Sequence, residues 1–236
     1  MWHGYPCDRI SFEEHGGLVV RPEKPNGLLA LKTEYWDAFP EAAELSLLER
    51  GYTLCFIRND NRWGTAPDLE RKARFVRFVA EKYGLDQRCV PVGMSCGGLI
   101  AIKFAARFPE LVRVVYLDAP VVNYMSCPCG FGVGKALNPD HSEILNALGM
   151  TSISQLLGYR DMPLDCIPEL IRNRIPVALV AGDSDTVVPY CENGVLLEEA
   201  YGKTDIPFFL HIKPGCDHHP HGPADPGELV EFLSRF

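Results

Sequence analysis

The chain has 236 residues, 47% of them hydrophobic and 23% charged, which fits one large α/β domain of ordinary globular composition. Net charge is -8 at pH 7, and no basic run exceeds Arg71-Lys72 with Arg74 nearby, so nucleic acid is not expected as a partner. No apolar stretch approaches the ~18 residues of a membrane span. The segment Met1 to Cys7 lacks the basic start and apolar core of a signal peptide, and the nine cysteines are odd in number. The sequence therefore predicts a cytoplasmic protein with reduced thiols and no membrane partner.

In chain order, Ile10-Ser11-Phe12 and Leu18-Val19-Val20 flank His15-Gly16-Gly17 and read as an antiparallel hairpin. Leu28 to Leu31 is a buried strand, and Pro40 opens a helix running through Arg50. Tyr52 to Ile57 is the next strand. Asp68 to Tyr83 is an amphipathic helix with Phe75, Val76, Phe78 and Val79 on one side. Cys89 to Val92 is a strand leading into Gly93-Met94-Ser95-Cys96-Gly97, and a helical pattern follows from Leu99 to Ala106. Val112 to Leu117 and Val177 to Val180 are further strands. A helix covers about Glu192 to Tyr201, Phe208 to Ile212 is the last strand, and Asp225 caps a final helix with Pro226 in its first turn. After the hairpin, strands alternate with helices, which predicts a mostly parallel sheet covered on both faces. Residues 121–174 break this rhythm with Ser126 to Gly130, a glycine-rich turn and short helical pieces at Ser142 to Leu148 and Ser152 to Leu157. They read as a lid inserted over the carboxyl ends of the strands, within one domain spanning 1–236.

Gly93-Met94-Ser95-Cys96-Gly97 reads G-x-S-x-G between a strand and a helix. A serine on so tight a turn is held out at a helix N-terminus, where free N–H groups favour developing negative charge. A serine hydroxyl needs a base and an acid that orients the base. Candidates for the base lie in Pro214 to Gly222, which holds His218, His219 and His221; those for the acid are Asp183 and Asp185, just past the preceding strand. Asp118, which ends the strand after the elbow helix, competes for the role of acid.

Three segments now line up: strand–elbow–helix, G-D-x-D-x-V-V-P from Gly182 to Pro189, and G-x-x-H-H from Gly215 to His219. Together they resemble the three catalytic segments of the α/β-hydrolase superfamily, over nearly the whole chain. The resemblance implies that fold, with Ser95 as nucleophile, Asp185 as acid, His218 as base and no cofactor. Asp183 is then a loop cap, and His219 and His221 shape their loop. Adjacent histidines point in different directions and no Cys/His pair has zinc-finger spacing, so no metal is expected. Cys127 and Cys129 read as packing residues.

An oxyanion hole needs two donors. One is the Cys96 N–H. The other is expected from the loop after the Leu28–Leu31 strand, at Thr33 or Glu34, where many relatives carry His-Gly and this chain has Lys32-Thr33-Glu34. Asn59, Asn61, Arg62 and Trp63 follow the neighbouring strand; Asn61, Arg62 and Trp63 are expected to meet substrate, Arg62 through a carboxylate or polyhydroxyl group and Trp63 through a sugar face or acyl group. The function these features predict is hydrolysis of a carboxylic ester through an acyl-enzyme, on a small polar substrate such as an acylated sugar, by a carboxylesterase or deacetylase. Amide and thioester hydrolysis use the same groups. A non-catalytic binding or sensor protein is the alternative from another class, and a full triad argues against it.

Overall fold

The computed structural model describes residues 1–36 and 42–236. Eight strands form one sheet: β1 (Cys7–Phe12), β2 (His15–Val20), β3 (Leu29–Lys32), β4 (Thr53–Ile57), β5 (Cys89–Met94), β6 (Val115–Asp118), β7 (Val177–Gly182) and β8 (Phe208–Lys213). Their spatial order is β1-β2-β4-β3-β5-β6-β7-β8. The β1–β2 and β2–β4 pairs are antiparallel, and every later pair is parallel. The expectation of a mostly parallel sheet with an antiparallel start is met.

Every residue of β3, β5, β6 and β7 is buried, as helices on both faces of a parallel sheet require. Strand alternation sorts those side chains between two cores. Leu29, Leu31, Val115, Leu117, Val177 and Leu179 pack with α2 (Ala66–Tyr83), α3 (Cys96–Arg107), α6 (Pro163–Arg172) and α7 (Gly194–Tyr201). Ala30, Tyr116, Ala178 and Val180 pack on the opposite face with α1 (Ala42–Glu49) and α8 (Gly227–Leu233). The expected helix start at Pro40 lies outside the described residues.

Several boundaries differ from the sequence reading. The hairpin turn is Glu13-Glu14, with φ of 48° and 65°, and His15-Gly16-Gly17 belong to β2. Glycine is needed at Gly17 for space: a Cβ there would stand 2.9 Å from the Phe75 ring of α2. The strand expected from Val112 begins at Val115, because Pro109–Leu111 forms a 3₁₀ turn and Val112 makes only an isolated bridge to Cys89. A 3₁₀ turn at Tyr190–Glu192 likewise delays α7 to Gly194. Asp225 accepts the Gly227 N–H at 2.9 Å, and Pro226 stands just before α8. The helix expected from Asp68 starts at Ala66, where Pro67 fits its first turn.

The segment between β6 and β7 carries α4 (Ser142–Ala147), α5 (Ile153–Leu157) and α6. Buried Asn193 fixes its start: Asn193 Oδ1 accepts the Val122 and Asn123 N–H groups at 3.0 Å each. Two ion pairs tie the segment to the sheet layer, Arg62 to Glu143 and Lys103 to Asp161 at 2.9 Å.

At the end of β3, Lys32 Nζ donates to Glu44 Oε2 of α1 at 2.8 Å, both side chains being at most 1% exposed. Removing one member of such a pair strands a buried charge and costs about 3–5 kcal/mol. Lys32→Met is expected to lower the unfolding free energy by that amount in urea titrations, and adding Glu44→Leu should recover most of it. A single variant as stable as wild type would show that the pair contributes nothing net.

Candidate active site

The sheet places the elbow where the chain reverses its direction of travel across the strands: after β4 it passes back across β3 to form β5. Ligands of open parallel sheets bind outside the carboxyl ends at such a reversal. Ser95 follows β5 with φ 52° and ψ -121°, a conformation side chains rarely adopt. Its backbone is held on both sides, with the N–H donating to Asp118 O at 2.9 Å and the carbonyl accepting the Val121 N–H at 3.1 Å. The turn closes only because Gly93 has no side chain; a Cβ there would lie 2.3 Å from Gly97 O. The outcome is a serine whose Oγ stands at the start of α3.

Ser95 Oγ lies 3.1 Å from His218 Nε2, and His218 Nδ1 lies 2.8 Å from Asp185 Oδ2. With Nδ1 protonated, the ring donates to the carboxylate and Nε2 accepts the serine proton. Asp185 Oδ1 accepts the Val187 and Val188 N–H groups at 2.8 and 2.7 Å. Burial pushes the Asp185 carboxyl up, but the His218 and Val188 bonds outweigh it and hold the group below the usual carboxylate range.

The other acidic candidates have separate partners. Asp183 Oδ1 accepts the Gly215 N–H at 2.7 Å, and Asp217 Oδ1 accepts the Thr186 N–H at 2.8 Å. These two carboxylates tie the Asp185 loop to the His218 loop. Asp118 sits 3.0 Å from His221 Nδ1 and also accepts from the Gly222 N–H and, at 3.1 Å, from the Tyr116 hydroxyl. It faces the third histidine and leaves His218 to Asp185. His218, His219 and His221 come together after all: one ring nitrogen from each lies within 4.8 Å of the others. Opposite orientation of neighbours is a rule for strands, and these residues lie in a loop.

The expected oxyanion residues part company. Cys96 opens α3, so its N–H has no earlier turn to bond. Thr33 has directed both of its donors elsewhere: its N–H goes to Val92 O at 3.0 Å and its hydroxyl to Gly97 O at 2.7 Å. Glu34 lies against the elbow, within 3.3 Å of where a Cβ on Gly97 would stand. Sequence reasoning missed Tyr35, whose φ is 57° and whose hydroxyl lies beside the Cys96 thiol and the Arg62 side chain. Its place directly after Glu34 was the available signal.

The three expected substrate contacts are engaged within the protein. Asn61 Oδ1 accepts the Trp63 N–H at 2.9 Å and Asn61 Nδ2 donates to Thr65 Oγ1 at 3.2 Å, which makes it a loop brace. Arg62 makes a two-pronged bond to Glu143 at 2.7 and 2.6 Å. Trp63 is 1% exposed and meets Tyr124 edge-on, so it packs in the core and does not line the rim. Buried Asp68 organises this loop by accepting the Asp60 and Asn61 N–H groups while pairing with Arg71 at 2.6 Å.

A serine hydroxyl, an imidazole and a carboxylate are brought together from three strand ends of an α/β-hydrolase sheet, the constellation of a serine triad. The chain belongs to the prolyl oligopeptidase family, whose sequence profile matches residues 57–236. Among solved structures, dipeptidyl peptidase 4 of Porphyromonas gingivalis superposes with a TM-score of 0.72 at 18% identity, over 98% of this chain and 35% of its own. The acylaminoacyl peptidase of Pyrococcus horikoshii gives 0.70 at 11% identity, over 91% and 37%. A puromycin hydrolase gives 0.70 at 18%, over 97% and 37%. These likenesses are of fold, and the chain spans little more than a third of the length of those structures. No helix among the described residues is long and apolar enough to cross a membrane.

Proposed function

We propose that this chain hydrolyses the acyl bond of a small aminoacyl or short peptide amide through an acyl-enzyme on Ser95. The observation that carries the reading is the chain of contacts from Ser95 through His218 to Asp185, at 3.1 and 2.8 Å. His218 Nε2 takes the Ser95 proton while Asp185 holds Nδ1–H and stabilises the imidazolium. The alkoxide attacks the carbonyl carbon. The oxyanion is held by the Cys96 N–H and by the Glu34 N–H, since Thr33 has no donor left for it. The leaving amine receives the proton from Nε2. The same nitrogen then deprotonates the water that releases the acid.

Amide is preferred to ester because the family is one of oligopeptidases. Arg62 is neutralised by Glu143 and is not a free cation for substrate. A carboxylate substrate, which Arg62 suggests when read alone, therefore has no free cation to meet there. Carboxylic ester hydrolysis, with an acylated sugar as substrate, is the second reading, since the same triad serves both bonds. The segment between β6 and β7 is assigned the part of a lid, held down by the Arg62–Glu143 pair. The nine unpaired cysteines fit a reducing compartment, and we place the protein in the cytoplasm. The test compares aminoacyl and dipeptidyl p-nitroanilides with p-nitrophenyl acetate as substrates. Turnover of an anilide with kcat/KM above that of the ester supports the amide reading; turnover of esters alone moves the assignment to a carboxylesterase.

Cys96 stands beside the nucleophile at a helix start, where thiols are often activated. Here burial pushes its thiol up to about 11, so it is protonated at neutral pH. Cys96→Ala is expected to keep kcat within about tenfold of wild type, because the backbone donor survives the substitution. Loss of activity in a folded Cys96→Ala variant, alongside an active Ser95→Ala, would make the protein a cysteine hydrolase.

A further inference from the structure

We propose that His218, His219 and His221 form a three-nitrogen site for a divalent zinc-like cation, and that occupancy of this site shuts off hydrolysis. The inhibitory half rests on His218 being the base; the binding half does not. One ring nitrogen from each histidine lies within 4.8 Å of the others, so small ring movements bring all three to the ~2.0–2.1 Å that a Zn–N bond requires. The rings cross at 73°, 80° and 83° with centroids 4.7–5.0 Å apart.

The surroundings are those of a metal site as well. Metal-bound histidines usually donate their other N–H to a carboxylate, which fixes the tautomer and raises the ligand's basicity. Two of the three already do so, His218 Nδ1 to Asp185 at 2.8 Å and His221 Nδ1 to Asp118 at 3.0 Å. Both acids are buried, and each is held by backbone N–H groups. This leaves Nε2 of both rings for a cation, with exposed His219 providing the way in from solvent. Asp118, which the triad leaves aside, thereby gains a part: it orients the second ligand as Asp185 orients the first.

Binding needs no redox change. The lone pair of each imidazole nitrogen forms a dative bond to the cation, and water or the Ser95 hydroxyl completes four-coordination. His218 Nε2 cannot hold both a cation and the Ser95 proton. Occupancy therefore removes the general base, and the inhibition is reversed by chelation.

The test is a zinc titration of the full chain, followed by calorimetry and by hydrolysis, in wild type, His219→Asn and the His219→Asn/His221→Asn pair. Calorimetry on Ser95→Ala shows binding even if the catalytic reading is wrong. The proposal expects one zinc per chain in wild type and in Ser95→Ala. It expects affinity weaker by about 10–100-fold in His219→Asn. It expects wild-type hydrolysis lost with the same midpoint and restored by EDTA, each variant being compared with its own EDTA-treated rate. Zinc binding unchanged by His219→Asn would place the metal elsewhere, for instance on exposed Cys191, and overturn the proposal; so would no binding. One equivalent bound at the histidines with wild-type hydrolysis undiminished would overturn its inhibitory half.

Discussion

Ser95→Ala is expected to lower kcat by about 10⁴-fold or more while leaving the protein folded. The Ser95 hydroxyl meets His218 Nε2 at 3.1 Å, and deleting it removes the atom proposed to bond the acyl group. The His218–Asp185 contact is left without work, because members of a triad act as a unit. The elbow itself does not depend on the hydroxyl. It is held by backbone bonds to Asp118 and Val121 and by the missing side chain at Gly93, all of which alanine preserves. Unfolding free energy should therefore change by no more than about 1 kcal/mol. A fluorophosphonate probe should label wild type at Ser95 and leave the variant unlabelled. A variant with a near-normal rate, or labelling at another residue, would remove Ser95 from the chemistry.

What the sequence reveals of this site follows from how local each feature is. The elbow is written in five consecutive residues, since backbone strain and close approach demand a small set of types at fixed spacing. The Asp185 and His218 segments are legible for a similar reason: each ends a strand whose apolar run marks its place in a parallel sheet. The hairpin turn misleads because Gly16 and Gly17 look like turn residues, whereas Gly17 is small to admit the Phe75 ring from α2, far along the chain. Arg62 misleads in the same way. Read alone it is a free cation beside the site; in the fold Glu143, 81 residues on, neutralises it. Trp63 sits in a polar stretch yet packs under Tyr124 of the inserted segment. These partners are fixed by tertiary packing, which carries no short-range pattern. The clustering of His218, His219 and His221 is hidden for a related reason, since side-chain directions in a loop follow no period.

Asp185→Asn is expected to cost about 10⁴-fold in kcat, and Asp118→Asn and Asp183→Asn less than about tenfold. The amide still occupies the space but presents an N–H₂ or a neutral oxygen to His218, so the ring no longer has a charged acceptor fixing Nδ1–H and steadying the imidazolium. Asp118→Asn loosens the hold on His221 and Gly222, a cost to the stability of the loop of about 1–3 kcal/mol. Asp183→Asn weakens one bond to the Gly215 N–H. A dead Asp118→Asn beside an active Asp185→Asn would move the acid to β6. Acid titration gives an independent readout. The folded carboxyl of Asp185 is held below its ordinary range, so its contribution to stability is complete above the unfolded carboxylate's ~3.9 and is lost as pH falls through the depressed folded value. Protonation is favoured in the unfolded chain over that interval, and stability falls with it. Asp185→Asn has no such proton to take up. Its urea midpoint should therefore fall less steeply than that of wild type below about pH 4, and parallel curves would show that the Asp185 carboxylate is not held by His218 in solution.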